Sequence, residues 1–186
     1  MIKGIIGEKN VLSFKKKELK GSIDTICLIN ARGNIKISKS DDEDIKINYI
    51  VNPSKDIEDC IFEFTENDNI LYITNIYYND IMSNKFDINI SYDIKLNSKF
   101  NLTIYNNVGD IILNGINKKI SVNNNIGNIC IKNLYNIDNI DVKNNIGNIT
   151  IGESKIENQF VIKKSNICIL KNIMTNIGEV IIPGEK

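Results

Sequence analysis

A short motif returns along the second half of the chain at a nearly constant interval, and this repetition limits the fold more than any other feature. Asn107-Val108-Gly109-Asp110-Ile111-Ile112-Leu113, Asn125-Ile126-Gly127-Asn128-Ile129-Cys130-Ile131, Asn145-Ile146-Gly147-Asn148-Ile149-Thr150-Ile151 and Asn176-Ile177-Gly178-Glu179-Val180-Ile181-Ile182 align without gaps, and the first three glycines are 18 and 20 residues apart. A degenerate copy without the glycine is Ser165-Asn166-Ile167-Cys168-Ile169. Between copies run Ile120-Ser121-Val122, Ile140-Asp141-Val142 and Phe160-Val161-Ile162. A period of about 20 residues holds two strands of roughly five residues with a turn at each end, which is one coil of a stack. The sequence therefore predicts an all-β, single-domain β-solenoid, or flattened β-helix. Its regular coils run over 106–183, within a domain over 22–186 that follows an N-terminal segment or cap over 1–21.

Composition suits such a chain. Ile and Asn make up about two-fifths of the 186 residues. Ile is β-branched and stiff at χ1, which favours strands, whereas Asn tolerates left-handed turns. Alternation along a strand sends Ile111/Leu113, Ile129/Ile131, Ile149/Ile151 and Ile167/Ile169 inward as one column, with Ile120/Val122, Ile140/Val142 and Phe160/Ile162 facing them. The glycines Gly109, Gly127, Gly147 and Gly178 are expected at corners with φ > 0, and the Asn before each can stack on its equivalents above and below. The last copy follows the degenerate one too closely for a full coil, so Val180-Ile181-Ile182, with Pro183-Gly184 behind it, is expected as a closing strand or cap.

The N-terminal half is strand-like but less regular. Alternation is unbroken over 86–97, shorter runs occur at Ile35/Ile37, Ile45/Ile47/Tyr49 and Phe62/Phe64, and Arg32-Gly33-Asn34-Ile35 echoes the repeat. Ser40-Asp41-Asp42-Glu43-Asp44 and Asn52-Pro53-Ser54-Lys55-Asp56 read as turns.

The same residues restrict the chemistry. There is no His, which removes Ser-His, Cys-His and His-metal arrangements. Lys plus Arg balances Asp plus Glu at 23 each and Arg32 is the single Arg, a poor endowment for a nucleic-acid surface. Cys27, Cys60, Cys130 and Cys168 form no Cys-x-x-Cys pair. Paired carboxylates on adjacent coils would suit a glycan hydrolase or lyase. Yet the residues after the corner glycines run Asp110, Asn128, Asn148 and Glu179, with the acids at opposite ends, and Asp141 lies between Ser121 and Val161. Arg32 is expected to be remote from the coils. The run 41–44 lacks the spacing of a calcium loop and reads as a solvated turn, while Lys15-Lys16-Lys17, too few charges to hold an anionic membrane surface without an anchor, reads as a solvated N-terminal segment. No catalytic residue, cofactor site or metal site is assigned, and the chain is not expected to be an enzyme.

One surface column stands out. Ile112, Cys130, Thr150, Cys168 and Ile181 should share an outward row on one sheet, an apolar strip that is a candidate interaction face. Two readings of it stay open: packing on another chain, or burial against the N-terminal strands. No signal-like leader and no segment of about 18 apolar residues occurs, so a cytoplasmic chain without a membrane span is expected.

The order of features resembles the bacterial "putative adhesin" family of β-solenoid domains. The resemblance is carried by Ala31-Arg32-Gly33-Asn34-Ile35-Lys36-Ile37, the strand over 45–51, Ile88-Asn89-Ile90, and Leu102-Thr103-Ile104-Tyr105-Asn106-Asn107-Val108-Gly109-Asp110-Ile111 with the coils behind it. It covers most of the chain from about residue 22, and departs from the family in lacking a Pro after the long central strand, at Tyr92-Asp93-Ile94. It implies a non-catalytic binding scaffold, envelope- or stress-associated, whose partner is a protein or a glycan, or a second copy through self-association. A carbohydrate-active enzyme on the same scaffold and a cytoplasmic stress-linked regulatory module are the alternatives.

Overall fold

The computed structural model describes residues 2–3, 9–14, 23–52, 60–77, 89–116, 118–134, 139–152 and 169–181. Among these there is no helix. The first half holds β1 (Ile2–Lys3), β2 (Lys9–Phe14), β3 (Thr25–Arg32), β4 (Ile35–Ser40), β5 (Ile45–Asn52), β6 (Cys60–Asn67), β7 (Ile70–Tyr77) and β8 (Asn89–Asn97). The second half holds β9 (Asn101–Val108), β10 (Ile111–Asn114), β11 (Lys119–Ile126), β12 (Ile129–Lys132), β13 (Asn139–Ile146), β14 (Ile149–Ile151), β15 (Ile169–Ile177) and β16 (Val180–Ile181).

These strands form two eight-stranded sheets, one in the order β1-β6-β7-β3-β9-β11-β13-β15 and the other β2-β5-β8-β4-β10-β12-β14-β16. The two orders advance together: β3 and β4, β9 and β10, β11 and β12, β13 and β14, β15 and β16 hold matching places. Each such pair is joined by one of the glycine turns, and we call it a rung. From β7 and β8 onward neighbouring strands are parallel, while β6 and β5 run antiparallel to β7 and β8. The segment over 1–21, expected to precede the domain, contributes β1 and β2, which pair with β6 and β5 at one end of the sheets.

Spatial order departs from chain order in the first half. β7 and β8 enter between β6/β5 and β3/β4, so β3 and β4 are flanked by β7/β8 on one side and β9/β10 on the other. A two-residue hairpin makes this possible. Asp68 and Asn69 have φ of 48° and 65°, the paired left-handed conformation of a type I′ turn, which reverses β6 into β7 with Asn67 opposite Ile70.

Alternation builds the core. β8 buries Ile90, Tyr92, Ile94 and Leu96; β10, β12 and β14 bury Ile111/Leu113, Ile129/Ile131 and Ile149/Ile151; β11 and β13 face them with Ile120/Val122 and Ile140/Val142. In-register pairing stacks these side chains directly, Ile111 on Ile129 and Ile129 on Ile149. Burial of each contributes about 1.5–3 kcal/mol, so the stack is held by repetition of one contact type.

The C-terminal end differs from the sequence expectation. β15 pairs directly with β13, and β16 directly with β14. The degenerate copy therefore makes no coil between the third and last repeats. Ile169, expected in the inward column beside Ile149 and Ile151, instead opens β15 opposite Asn139. The place beside Ile140 expected for Phe160 is taken by Leu170, and Ile173 stands beside Val142 after a register shift. Val180 and Ile181 belong to a rung of the same kind as the others, with a long first strand. Ile167, Cys168, Phe160 and Ile162 lie outside the described residues.

Candidate binding surfaces around the glycine corners

Each rung turns from the first sheet to the second at a glycine followed by an Asn or an acid. Gly33, Gly109, Gly127, Gly147 and Gly178 stack on one another, all with φ between +122° and +141°. Backbone shape alone favours Gly there, and close approach adds a second demand. A Cβ on Gly127 would stand 2.2 Å from the carbonyl oxygen of Gly109, and one on Gly147 would stand 2.1 Å from that of Gly127. The corners are tied by backbone bonds: Gly127 N–H donates to the Ile146 carbonyl at 2.9 Å, and Ile129 N–H to that of Asn148 at 2.9 Å.

Three side-chain ladders run along this corner. The residue three before each glycine points into the core. There Asn30, Asn106, Asn124 and Asn144 are buried, and the Nδ2 of each of the first three donates to the Oδ1 of the next at 3.0–3.2 Å. Asn106 and Asn144 also donate to the carbonyls of Gly109 and Gly127, and Thr175 fills the last place by donating to Gly147. The residue two before the glycine points out. Asn125, Asn145 and Asn176 each donate Nδ2–H to the preceding Oδ1 at 2.9 Å, starting from Asn107. The residue after the glycine forms the third ladder, in which the backbone N–H of Asp110, Asn128, Asn148 and Glu179 donates to the side-chain oxygen of Asn34, Asp110, Asn128 and Asn148. Buried amides are costly unless paired, so the inner ladder both meets that demand and fixes register.

The sequence singled out the residues that make these corners, but described only one stacking Asn per copy. Parity was the available signal for the inner ladder. Ile120, Val122 and Asn124 lie on one strand face, so an Asn at the third place has to be inward and paired. Arg32-Gly33-Asn34 is a member of the corner stack rather than an echo of it, and Arg32 pairs with Val108. Its expected remoteness from the coils is therefore corrected.

The expected interaction strip lies on the second sheet. Lys36, Ile112, Cys130, Thr150 and Ile181 follow one another across neighbouring strands. Thr150 adjoins Ile181 directly, without the Cys168 expected between them. Ile112 and Ile181 are over a third exposed, while Cys130 and Thr150 are half-buried. Of the two readings left open, burial against N-terminal strands does not hold for Ile112 and Ile181.

Other exposed apolar groups were missed. Ile126, Ile146 and Ile177, each just before a corner glycine, form an outward ridge, with Ile177 63% exposed. Strict alternation would send them inward with Ile120 and Val122; the bend at the corner turns them out. On the outer face of the first sheet, Ile29, Tyr105, Asn123, Lys143 and Met174 form another row. Between this row and the outer Asn ladder lies a shallow depression of about 250 Å³.

Charged groups are dispersed. Asp110 and Glu179 are three rungs apart in their ladder, about 14 Å at 4.8 Å per rung, beyond the separation that glycoside hydrolysis uses. Asp141 lies between Ser121 and Lys171, the latter in the place expected for Val161. The acidic run at 41–44 meets lysines: Asp41 with Lys39 at 3.4 Å, Asp42 with Lys46 at 2.6 Å, Glu43 with Lys99 at 3.5 Å. The Lys46 hydrogen bond and charge hold the Asp42 carboxyl below its usual range. Among the described residues no three metal-ligating side chains converge, and no helix is long and apolar enough to cross a membrane.

No family model matches the chain, and no curated protein matches it. Among solved structures the fold is similar to that of a "putative cell adhesion protein" from Clostridium sporogenes, with a TM-score of 0.61 at 14% identity over 94% of this chain and 98% of that one. A "putative adhesin" from Bacteroides fragilis aligns with a TM-score of 0.40 at 12% identity, over 96% of this chain and 100% of that chain. The first likeness extends the all-β, two-sheet architecture to a solved protein and establishes shared fold only.

Proposed function

We propose that the chain is a non-catalytic, adhesin-like binding scaffold, a β-solenoid whose flat outer faces display side chains in fixed columns. The observation that carries this reading is the triple ladder at the glycine corners. It holds successive rungs in register, so that exposed residues such as Ile112 and Ile181, or Asn125 and Asn145, repeat in straight rows. Such rows suit an extended partner that meets several rungs at once, because a preorganised surface loses little entropy on binding. The shared fold with a structure described as a cell adhesion protein supports the same reading, although fold alone does not give function.

An enzyme on this scaffold is disfavoured by the spacing of its carboxylates. The test is to incubate the protein with isolated bacterial envelope and with soluble polysaccharides, and to measure both retention and release of new reducing ends. The scaffold reading expects retention that falls when Ile112 and Ile181 are both changed to Lys or when Tyr105 is changed to Ala, with no product formed. Release of reducing ends, or retention indifferent to every outward column, would overturn it.

A further inference from the structure

We propose that the depression on the outer face of the first sheet binds a linear, uncharged glycan lying along the stack. This inference rests on the scaffold reading and names a ligand class for one of its faces. Asn123, Lys143 and Met174 form one wall and Asn125, Asn145 and Asn176 the other. The walls come from alternate residues of the same strands, so both face outward, roughly 7 Å apart.

The chemistry of the walls selects the ligand. Carboxamides both donate and accept, as sugar hydroxyls do. In the outer ladder each amide already spends one N–H on the Oδ1 of the preceding rung. This fixes every amide plane in the same orientation and leaves its second N–H and a carbonyl lone pair available, repeated about every 4.8 Å. Asn123, Lys143 and the carboxamides bring a single positive charge and no carboxylate to the walls. Tyr105, 47% exposed, continues the Asn123–Lys143–Met174 row by one rung and offers an aromatic platform to a sugar face. Met174, 55% exposed, gives an apolar contact at the far end.

Two other classes of partner fit less well. An extended peptide repeats its side chains every ~6.7 Å, out of step with the rungs, and peptides join a sheet at its edge rather than across its face. A nucleic acid would need more than one cation along this length.

The test uses chitopentaose, cellopentaose and xylopentaose as separate probes, followed by the side-chain amide NMR signals of Asn125, Asn145 and Asn176. At least one sugar at millimolar concentration should shift all three sets of signals. Tyr105→Ala and Asn145→Ala should each weaken that binding about tenfold, the weight of one lost contact, while Asp41→Asn in the exposed turn between β4 and β5 leaves it unchanged. Thermal melting confirms that the variants fold. No response to any of the three sugars, or binding by Tyr105→Ala and Asn145→Ala as tight as that of the unaltered protein, overturns the inference. So do the same shifts caused by an extended nonapeptide in the absence of any sugar. If envelope retention persists while all three sugars fail, the glycan inference falls and the scaffold reading stands; if retention fails as well, both fall.

Discussion

Asn124 donates its Nδ2–H to Oδ1 of Asn144 at 3.2 Å, inside the core and between rungs 20 residues apart in sequence. It also accepts from Asn106 at 3.0 Å, so a single amide joins three consecutive rungs. Replacing Asn124 by Ala leaves a donor on Asn106 and an acceptor on Asn144 short of a partner in a buried place. The expected loss is about 2–4 kcal/mol. Asn125→Ala, one residue along in the exposed ladder, should cost about 0.5 kcal/mol or less, because water replaces the lost bond. Denaturant unfolding of the two variants measures the contrast, and equal losses would remove the special role of the inner ladder.

At Gly127 two constraints coincide: φ of +133° and a neighbouring carbonyl 2.2 Å from where a Cβ would sit. Gly127→Ala should destabilise by about 3 kcal/mol, and Gly127→Val by more, since the β-branched side chain adds its own crowding to the strained backbone. A thermal midpoint unchanged in both variants would contradict the corner geometry.

How much of this was legible in the sequence depended on distance along the chain. Alternation and the Asn-x-Gly repeat gave the strands β9 to β14, their inward Ile columns and the corner glycines, because each of these is decided within one period. The entry of β7 and β8 beside β3 was not legible. Period-two alternation says which way Ile90 or Ile73 points, and says nothing about which strand lies alongside. The outward ridge of Ile126, Ile146 and Ile177 was hidden for another reason: it breaks parity at a bend. At the C-terminus Ile167-Cys168-Ile169 matched the repeat by composition, yet it lacked the glycine that lets a corner approach its neighbour within carbonyl distance. β15 reaches its own corner at Gly178 instead.

Cysteine reactivity offers a readout of burial. Cys27 is 7% exposed, and burial raises its thiol above the ordinary range, whereas Cys130 is half-buried on the outer face of the second sheet. Iodoacetamide should therefore label Cys130 before Cys27, as followed by peptide mapping. The unfolded thiol loses its proton near pH 8.5 while the folded one keeps it, so this group's contribution is complete below that pH and is lost as pH rises from there through the raised value of the folded thiol. The fall in melting temperature between about pH 7.5 and 9.5 should be smaller in Cys27→Ala than in the unaltered protein. An equal fall would mean that the thiol is not held neutral by the fold.

Every glycine corner sits directly on the one before it, the last pair included. Asn145 and Asn176 test this most sharply, since they are 31 residues apart in sequence yet adjoin in the outer ladder. With Asn145→Cys and Asn176→Cys combined, the two Cα atoms are one strand spacing apart, about 4.8 Å, within the range that a disulfide spans. Mild oxidation followed by peptide mapping should yield the 145–176 cross-link in the folded protein. If a coil from the degenerate copy lay between them, the separation would be about 9–10 Å, and the absence of that cross-link would contradict the stack described here.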